Sequence, residues 1–239
     1  MSRKKDLASQ SGDIDNFIRK VQQTSATVSP SQAHGRLIFA LDATASRQST
    51  WNMACELQAQ MFGVVADIGG LAVQLCFYRG IGECRASRWM TQARQLQQSM
   101  SKVRCMAGHT QIARVLKHTR LEQARQPVNA LAFVGDSMEE NPDTLCQLAG
   151  DLGILNVPIF IFQEGQDLQA RQTFTEMARL SGGACCAFDK NSVEQLRMLL
   201  SAVAMYAVGG FQALNSYSEK HPALANLSSQ LRGPRGKRR

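Results

Sequence analysis

The chain has 239 residues, 44% of them hydrophobic, and a formal net charge of +8, enough apolar content for one domain with extensions. Seven cysteines, an odd number with no CxxC pair, argue against a disulfide framework and a zinc site. The positive charge is confined to the ends: residues 1–36 hold six Lys/Arg and three acids, residues 228–239 five Lys/Arg and no acid, so 37–227 keeps 16 of each sign.

Residues 1–34 are rich in Ser, Gln and Thr, with one weak helical spacing at Ile14, Phe17, Ile18 and Val21. They predict a mobile N-terminal segment with a short helix. The start carries charge but no apolar h-region, which predicts a cytoplasmic chain with reduced thiols. Leu37–Leu41 is a short apolar run, β-branched and aromatic in part, suited to a fully buried strand. A helix follows over Ser49–Phe62, then a turn over Ala66–Gly70 and a strand over Leu71–Arg79. Glu83–Ser87 predicts a short antiparallel edge strand, and Met90–Val103 a Gln-rich helix. Gly108–Gln111 opens a helix that runs to about Arg125.

Pro127 ends that pattern, and Val128–Val134 (VNALAFV) is a third buried strand. Asp143–Leu155 reads as a helix, Val157–Phe162 as a strand, Leu168–Leu180 as a helix, Ala184–Phe188 as a strand and Ser192–Ala207 as the last helix. Strands alternating with helices of this length predict a mostly parallel sheet of five or six strands, helices on both faces. Met198–Phe211, the most apolar segment, is 14 residues and too short to span a bilayer. The domain is expected over 35–212. Residues 213–239 are expected to be a basic tail; both basic ends are expected to touch nucleic acid at most weakly and without sequence preference.

Chemistry-bearing residues fall where these strands end. The first strand runs into Asp42-Ala-Thr44-Ala-Ser46, one carboxylate and two hydroxyls. Gly108-His109-Thr110 opens a helix, and VNALAFV stops at Gly135-Asp136. Loops after adjacent strands of a doubly wound sheet meet at the topological switch point. If the first and third buried strands are neighbours, Asp42, Thr44, Ser46, Thr110 and Asp136 converge. An all-oxygen set suits a hard cation, Mg²⁺, Mn²⁺ or Ca²⁺. Two carboxylates about 5 Å apart repel by roughly 3 kcal/mol at an effective dielectric of about 20, and a divalent cation between them reverses the sign. The competing reading is that Asp42 or Ser46 merely caps the next helix.

The motifs DATAS, GHTQI and FVGDS resemble, in type, order and spacing, the metal ion-dependent adhesion site of von Willebrand factor A domains. The likeness spans about 35–212 and is strongest to small stand-alone bacterial members. It implies a Rossmann-like doubly wound sheet with Mg²⁺ at its top. By the same resemblance Thr44 and Ser46 would ligate through hydroxyls, Thr110 directly or through water, and Asp42 and Asp136 largely through bound water. Thr44 stands where better-known members carry Ser; it keeps the hydroxyl on a stiffer rotamer. The implied function is a non-enzymatic module whose metal takes an acidic side chain from a partner protein.

Around this set, His109 is expected at the rim and Arg47 to anchor its loop to a carboxylate. Glu139 and Glu140 either deepen the negative potential or complement a helix dipole as first-turn acids. Asp189 is expected to cap a helix at the far edge of the sheet. The alternative function is a Mg²⁺-dependent phosphatase of the haloacid dehalogenase type, which also places an Asp after the first strand and a late Gly-Asp. That chemistry needs a second carboxylic acid at the third loop position, where this chain has Thr44.

Overall fold

The computed structural model describes residues 35–188 and 193–231. The helix expected near Ile14–Val21, the cap at Asp189 and the basic residues 232–239 lie outside the described residues. In chain order the strands are β1 (Gly35–Asp42), β2 (Leu71–Arg79), β3 (Glu83–Ala86), β4 (Ala130–Gly135), β5 (Ile159–Glu164) and β6 (Ala184–Phe188). The α-helices are α1 (Gln48–Gly63), α2 (Ala93–Met100), α3 (Ile112–Arg125), α4 (Pro142–Ile154), α5 (Leu168–Ser181), α6 (Val193–Glu219) and α7 (Ala225–Leu231).

Period-two alternation within β1 builds both layers. Leu37, Phe39 and Leu41 pack with Trp51, Met61, Leu200 and Val203 on one side of the sheet. Ile38 and Ala40 pack with Val115, Leu116, Leu145 and Phe174 on the other. All eight residues of β1 are buried, which is why its sequence is apolar without a polar face. The sheet order is β3-β2-β1-β4-β5-β6. Every pairing is parallel except β2 with β3. The result is the doubly wound, mostly parallel architecture expected, with β3 as the antiparallel edge.

The chain leaves β1 for β2 on one side and returns to β4 on the other, so a crevice opens above the β1 and β4 ends. Leu41 pairs with Val134, which puts Asp42 level with Gly135 and one residue short of Asp136.

The C-terminal part differs from expectation. α6 continues past residue 212 to Glu219, with its one non-helical residue, Gly210, at φ 65°. A left-handed conformation of this kind suits glycine, and the Gly209-Gly210 pair accounts for the kink. A short 3-10 turn, Pro222–Leu224, leads to α7. Leu214, Leu224 and Leu227 are all buried, so ordered packing reaches Leu231, well into the stretch expected as tail. By length and composition α6 would also suffice to cross a bilayer, longer than the 14-residue estimate. Its apolar residues Leu196, Leu200, Val203 and Ala204 are instead buried in the protein core.

Candidate metal-binding cleft

Asp42 is the last residue of β1 and is 3% exposed. Its Oδ1 accepts a 2.7 Å hydrogen bond from the Thr44 backbone N–H, a turn that folds the loop back over the strand end. Its Oδ2 is buried and has no hydrogen-bond partner. Burial pushes the Asp42 carboxyl above its ordinary value; the Thr44 hydrogen bonds and Arg47 oppose this, while Asp136 adds to it. Beside it, Thr44 Oγ1 and Ser46 Oγ lie 3.3 Å apart. Thr44 is buried and Ser46 exposed, so the hydroxyl pair leads from the interior to the rim.

The second loop is fixed to the third. Thr110 Oγ1 accepts from the Glu139 N–H at 2.9 Å, and Glu139 Oε2 accepts from the Thr110 N–H at 3.1 Å. His109, exposed at the rim, places Nδ1 2.8 Å from the same Glu139 oxygen. Glu140 accepts from the N–H groups of Ile112 and Ala113 at 2.9 and 2.8 Å, satisfying orphan donors at the start of α3. Glu140 therefore complements the N-terminus of α3, whereas the expectation placed both acids in the first turn of the helix that follows them. They precede α4, whose own cap is Asn141. Gly108 permits this arrangement: a Cβ there would lie 2.2 Å from the Gly80 carbonyl oxygen.

Asp136 follows β4 with its side chain about one-third exposed, and Arg47 Nη1 is 3.7 Å from its Oδ2. Arg47 is 1% exposed. Its Nη1 pairs with Glu164 Oε2 at 2.5 Å, and Glu164 also accepts from the Thr50 hydroxyl. Arg47 thus anchors its loop to a carboxylate, as its position suggested. Ser46, Asp136 and Glu164 line one cleft of about 970 Å³.

The structure brings Asp42, Thr44, Ser46 and Asp136 to one crevice and ties the Thr110 loop to its wall through Glu139. Two buried participants escaped the sequence reading. Glu164 ends β5, so a third strand closes on an acid; ending that strand at Phe162 stopped two residues short of it. Tyr78 reaches the same region from β2. Burial raises its phenol well above the ordinary value, and the adjacent Asp42 carboxylate, with Glu140, pushes the same way; the Tyr78 hydroxyl, without a hydrogen-bond partner of good geometry like Asp42 Oδ2, is thus a donor beside that carboxylate. An isolated tyrosine in an apolar strand gave no signal.

Among the described residues no cluster of three or more His, Cys, Asp or Glu could hold a metal, so any cation here relies on hydroxyl oxygens. The donors fit a hard ion: a buried, unpartnered carboxylate oxygen, two adjacent hydroxyls and a second carboxylate. Soft or imidazole donors are absent from the set.

No family model matches the sequence, and no curated protein does either. Solved structures share the fold. A von Willebrand factor type A protein from Catenulispora acidiphila superposes with a TM-score of 0.60 at 12% identity, over 74% of this chain and 43% of that one. The SpRpn10 VWA domain gives 0.56 at 13% identity, over 72% of this chain and 95% of the domain. Proximal thread matrix protein 1 from the mussel byssus, with a zinc-occupied MIDAS motif, gives 0.56 at 14% identity, over 72% of this chain and 46% of that one. This chain has the von Willebrand factor A fold.

Proposed function

We propose that the cleft holds a divalent cation and that the protein uses it to capture an acidic side chain of a partner protein. The carrying observation is the buried, unpartnered Oδ2 of Asp42 beside the Thr44–Ser46 hydroxyl pair. An unpaired buried carboxylate oxygen costs several kcal/mol unless a cation or donor meets it. Thr44 and Ser46 would ligate through their hydroxyls, with Asp42, Asp136 and Thr110 holding the ion or its water. Mg²⁺ fits best, with Mn²⁺ or Ca²⁺ as substitutes. Such an ion is short of six protein oxygens and so leaves a position for an incoming carboxylate. The zinc-occupied motif in the mussel protein of the same fold supports a metal at this strand end. An odd number of cysteines, seven, without CxxC spacing is the support for a reducing, cytoplasmic setting.

This chain's own residues prepare the cleft. Arg47 neutralises Glu164 and part of Asp136, lowering the repulsion that two carboxylates would otherwise impose on the β1 loop. Glu139 locks the Thr110 loop to the post-β4 loop. Turnover is not part of the proposal, since Thr44 occupies the position where a phosphatase needs a carboxylic acid.

A second reading has one observation behind it. Arg47 Nη1, already 3.7 Å from Asp136 and paired with Glu164, could be the resident cation of a metal-free cleft. Partner capture from lysate separates the two. Under the metal reading it requires Mg²⁺ and is lost in Asp42→Ala and Ser46→Ala; under the Arg47 reading chelator leaves it unchanged.

A further inference from the structure

All seven cysteines are free, and one pair differs from the rest in where it sits. Cys76 lies on β2 and is fully buried; Cys84 lies on β3 and is half-buried. Across the antiparallel ladder Cys76 pairs with Ala86 and Cys84 with Tyr78. The two cysteines are therefore diagonal neighbours on one face of the sheet. Both pack with the layer that holds Ile38, Ala40 and Val115, and their thiols are within hydrogen-bonding reach of each other.

Access to the pair is one-sided. Cys84 lines a groove of about 610 Å³ with Gly82, Arg85 and Met106, while Cys76 is closed off behind it. The charge around Cys84 favours a thiolate. Arg114 reaches this strand end, where its Nη1 donates to the Gly82 carbonyl, and the adjacent Glu83 is paired with both Arg79 and Arg85. The Cys76 hydrogen bond holds the Cys84 thiol below its ordinary value; burial and Glu140 oppose this, and Arg114 reinforces it. The same hydrogen bond, with burial, pushes Cys76 up. Burial raises the thiols of Cys55, Cys105, Cys146, Cys185 and Cys186. Of the seven, Cys84 alone combines thiolate character with access and a second sulfur behind it, the setting of a redox-active cysteine.

We propose that Cys84 and Cys76 form a reversible oxidation site, at which a peroxide converts the two thiols to a disulfide joining β3 to β2. The Cys84 thiolate attacks one oxygen of hydrogen peroxide. The O–O bond breaks, Cys84 becomes a sulfenic acid, and the departing hydroxide takes up the proton that the thiol released. The Cys76 sulfur then attacks the Cys84 sulfur; the S–O bond breaks, and hydroxide leaves as water with the Cys76 proton. Two thiols are oxidised by two electrons in all, and one peroxide is reduced to two waters. A disulfide needs Cβ atoms about 3.8 Å apart, closer than diagonal neighbours usually sit. β3 is free to make that approach, being a four-residue strand at the sheet edge and paired on one side only. A dithiol reductant reverses the bond by exchange.

The test treats the reduced full chain with an equimolar amount of hydrogen peroxide, alkylates the remaining thiols and maps the peptides by mass spectrometry. The chain should lose two of its seven free thiols, recovered as one Cys76–Cys84 cross-link, and dithiothreitol should restore both. In Cys76→Ala the reaction should stop at a Cys84 sulfenic acid that dimedone traps; in Cys84→Ser the cross-link should be lost. Wild type unfolded in urea gives a readout that needs no variant to fold: dimedone should then label the cysteines without preference for Cys84. Oxidation that falls first at Cys55, Cys105, Cys185 or Cys186 would overturn the proposal. So would a Cys84 driven to sulfinic acid while Cys76 stays free, or an undiminished preference for Cys84 in urea.

Discussion

Arg47 and Glu164 illustrate how a charged pair can be buried where β1, β4 and β5 converge. Both side chains are almost fully enclosed, 2% and 8% exposed, so removing one partner strands the other. Glu164→Gln should cost about 3 kcal/mol of stability by this logic. The Arg47→Met, Glu164→Gln double variant should cost less than the two single changes summed. Chemical denaturation of the four proteins measures both, and strict additivity would mean that the pair is uncoupled. The same scale explains why Glu164 was not legible beforehand: an acid at the end of an apolar run looks like the first polar residue of a loop. Only the register of β5 beside β4 shows that it points into the cleft.

At the scale of elements, loops are held by backbone contacts that no side-chain pattern reveals. Gly108→Ala would drive a methyl to 2.2 Å from the Gly80 oxygen, so the Thr110 loop must shift. Its melting temperature should drop, and any Mg²⁺ affinity with it, by differential scanning fluorimetry and calorimetry. Unchanged values in both would show that the close approach is not required.

Helix α3 carries a pH dependence. Burial holds the His118 imidazole below its ordinary value of 6.5, with Glu122 opposing and Arg125 reinforcing the shift. The unfolded chain therefore takes up this proton first as pH falls. Stability attributable to His118 is full above pH 6.5 and declines below it, levelling off once the folded form also protonates. His118→Gln should flatten that part of the stability–pH curve measured by urea unfolding. A wild-type curve rising on acidification from neutral pH would contradict the assignment.

For the whole molecule, the layered sheet was legible because its parallel strands are buried on both faces and read as unbroken apolar runs. That the loops after β1 and β4 would lie side by side was legible because each strand runs into an acid, Asp42 and, one residue past the strand, Asp136. The fold's closure was not. Residues 213–231 are polar and small in sequence, yet Leu214, Leu224 and Leu227 insert into the core, and Gln230 bonds both the N–H and the carbonyl of Cys185 on the edge strand β6. Three widely spaced leucines give no periodic signal. Burial of each contributes about 2 kcal/mol, so truncation after residue 212 should lower the melting temperature by about 10 °C or more. Truncation after residue 231 should leave it unchanged. Equal melting of all three chains in calorimetry would return 213–231 to the status of a tail.

The central claim is that a divalent cation belongs at the end of β1. The most direct measurement is thermal unfolding of wild type and Asp42→Ala across a Mg²⁺ titration, with Mn²⁺ and Ca²⁺ alongside. A ligand that binds only the folded state adds about 2.7 kcal/mol at roughly 100 times its Kd. Wild type should therefore melt progressively higher with Mg²⁺, while Asp42→Ala, still folded, should not respond. A wild-type melting temperature indifferent to all three ions, or an identical response in Asp42→Ala, would contradict the account.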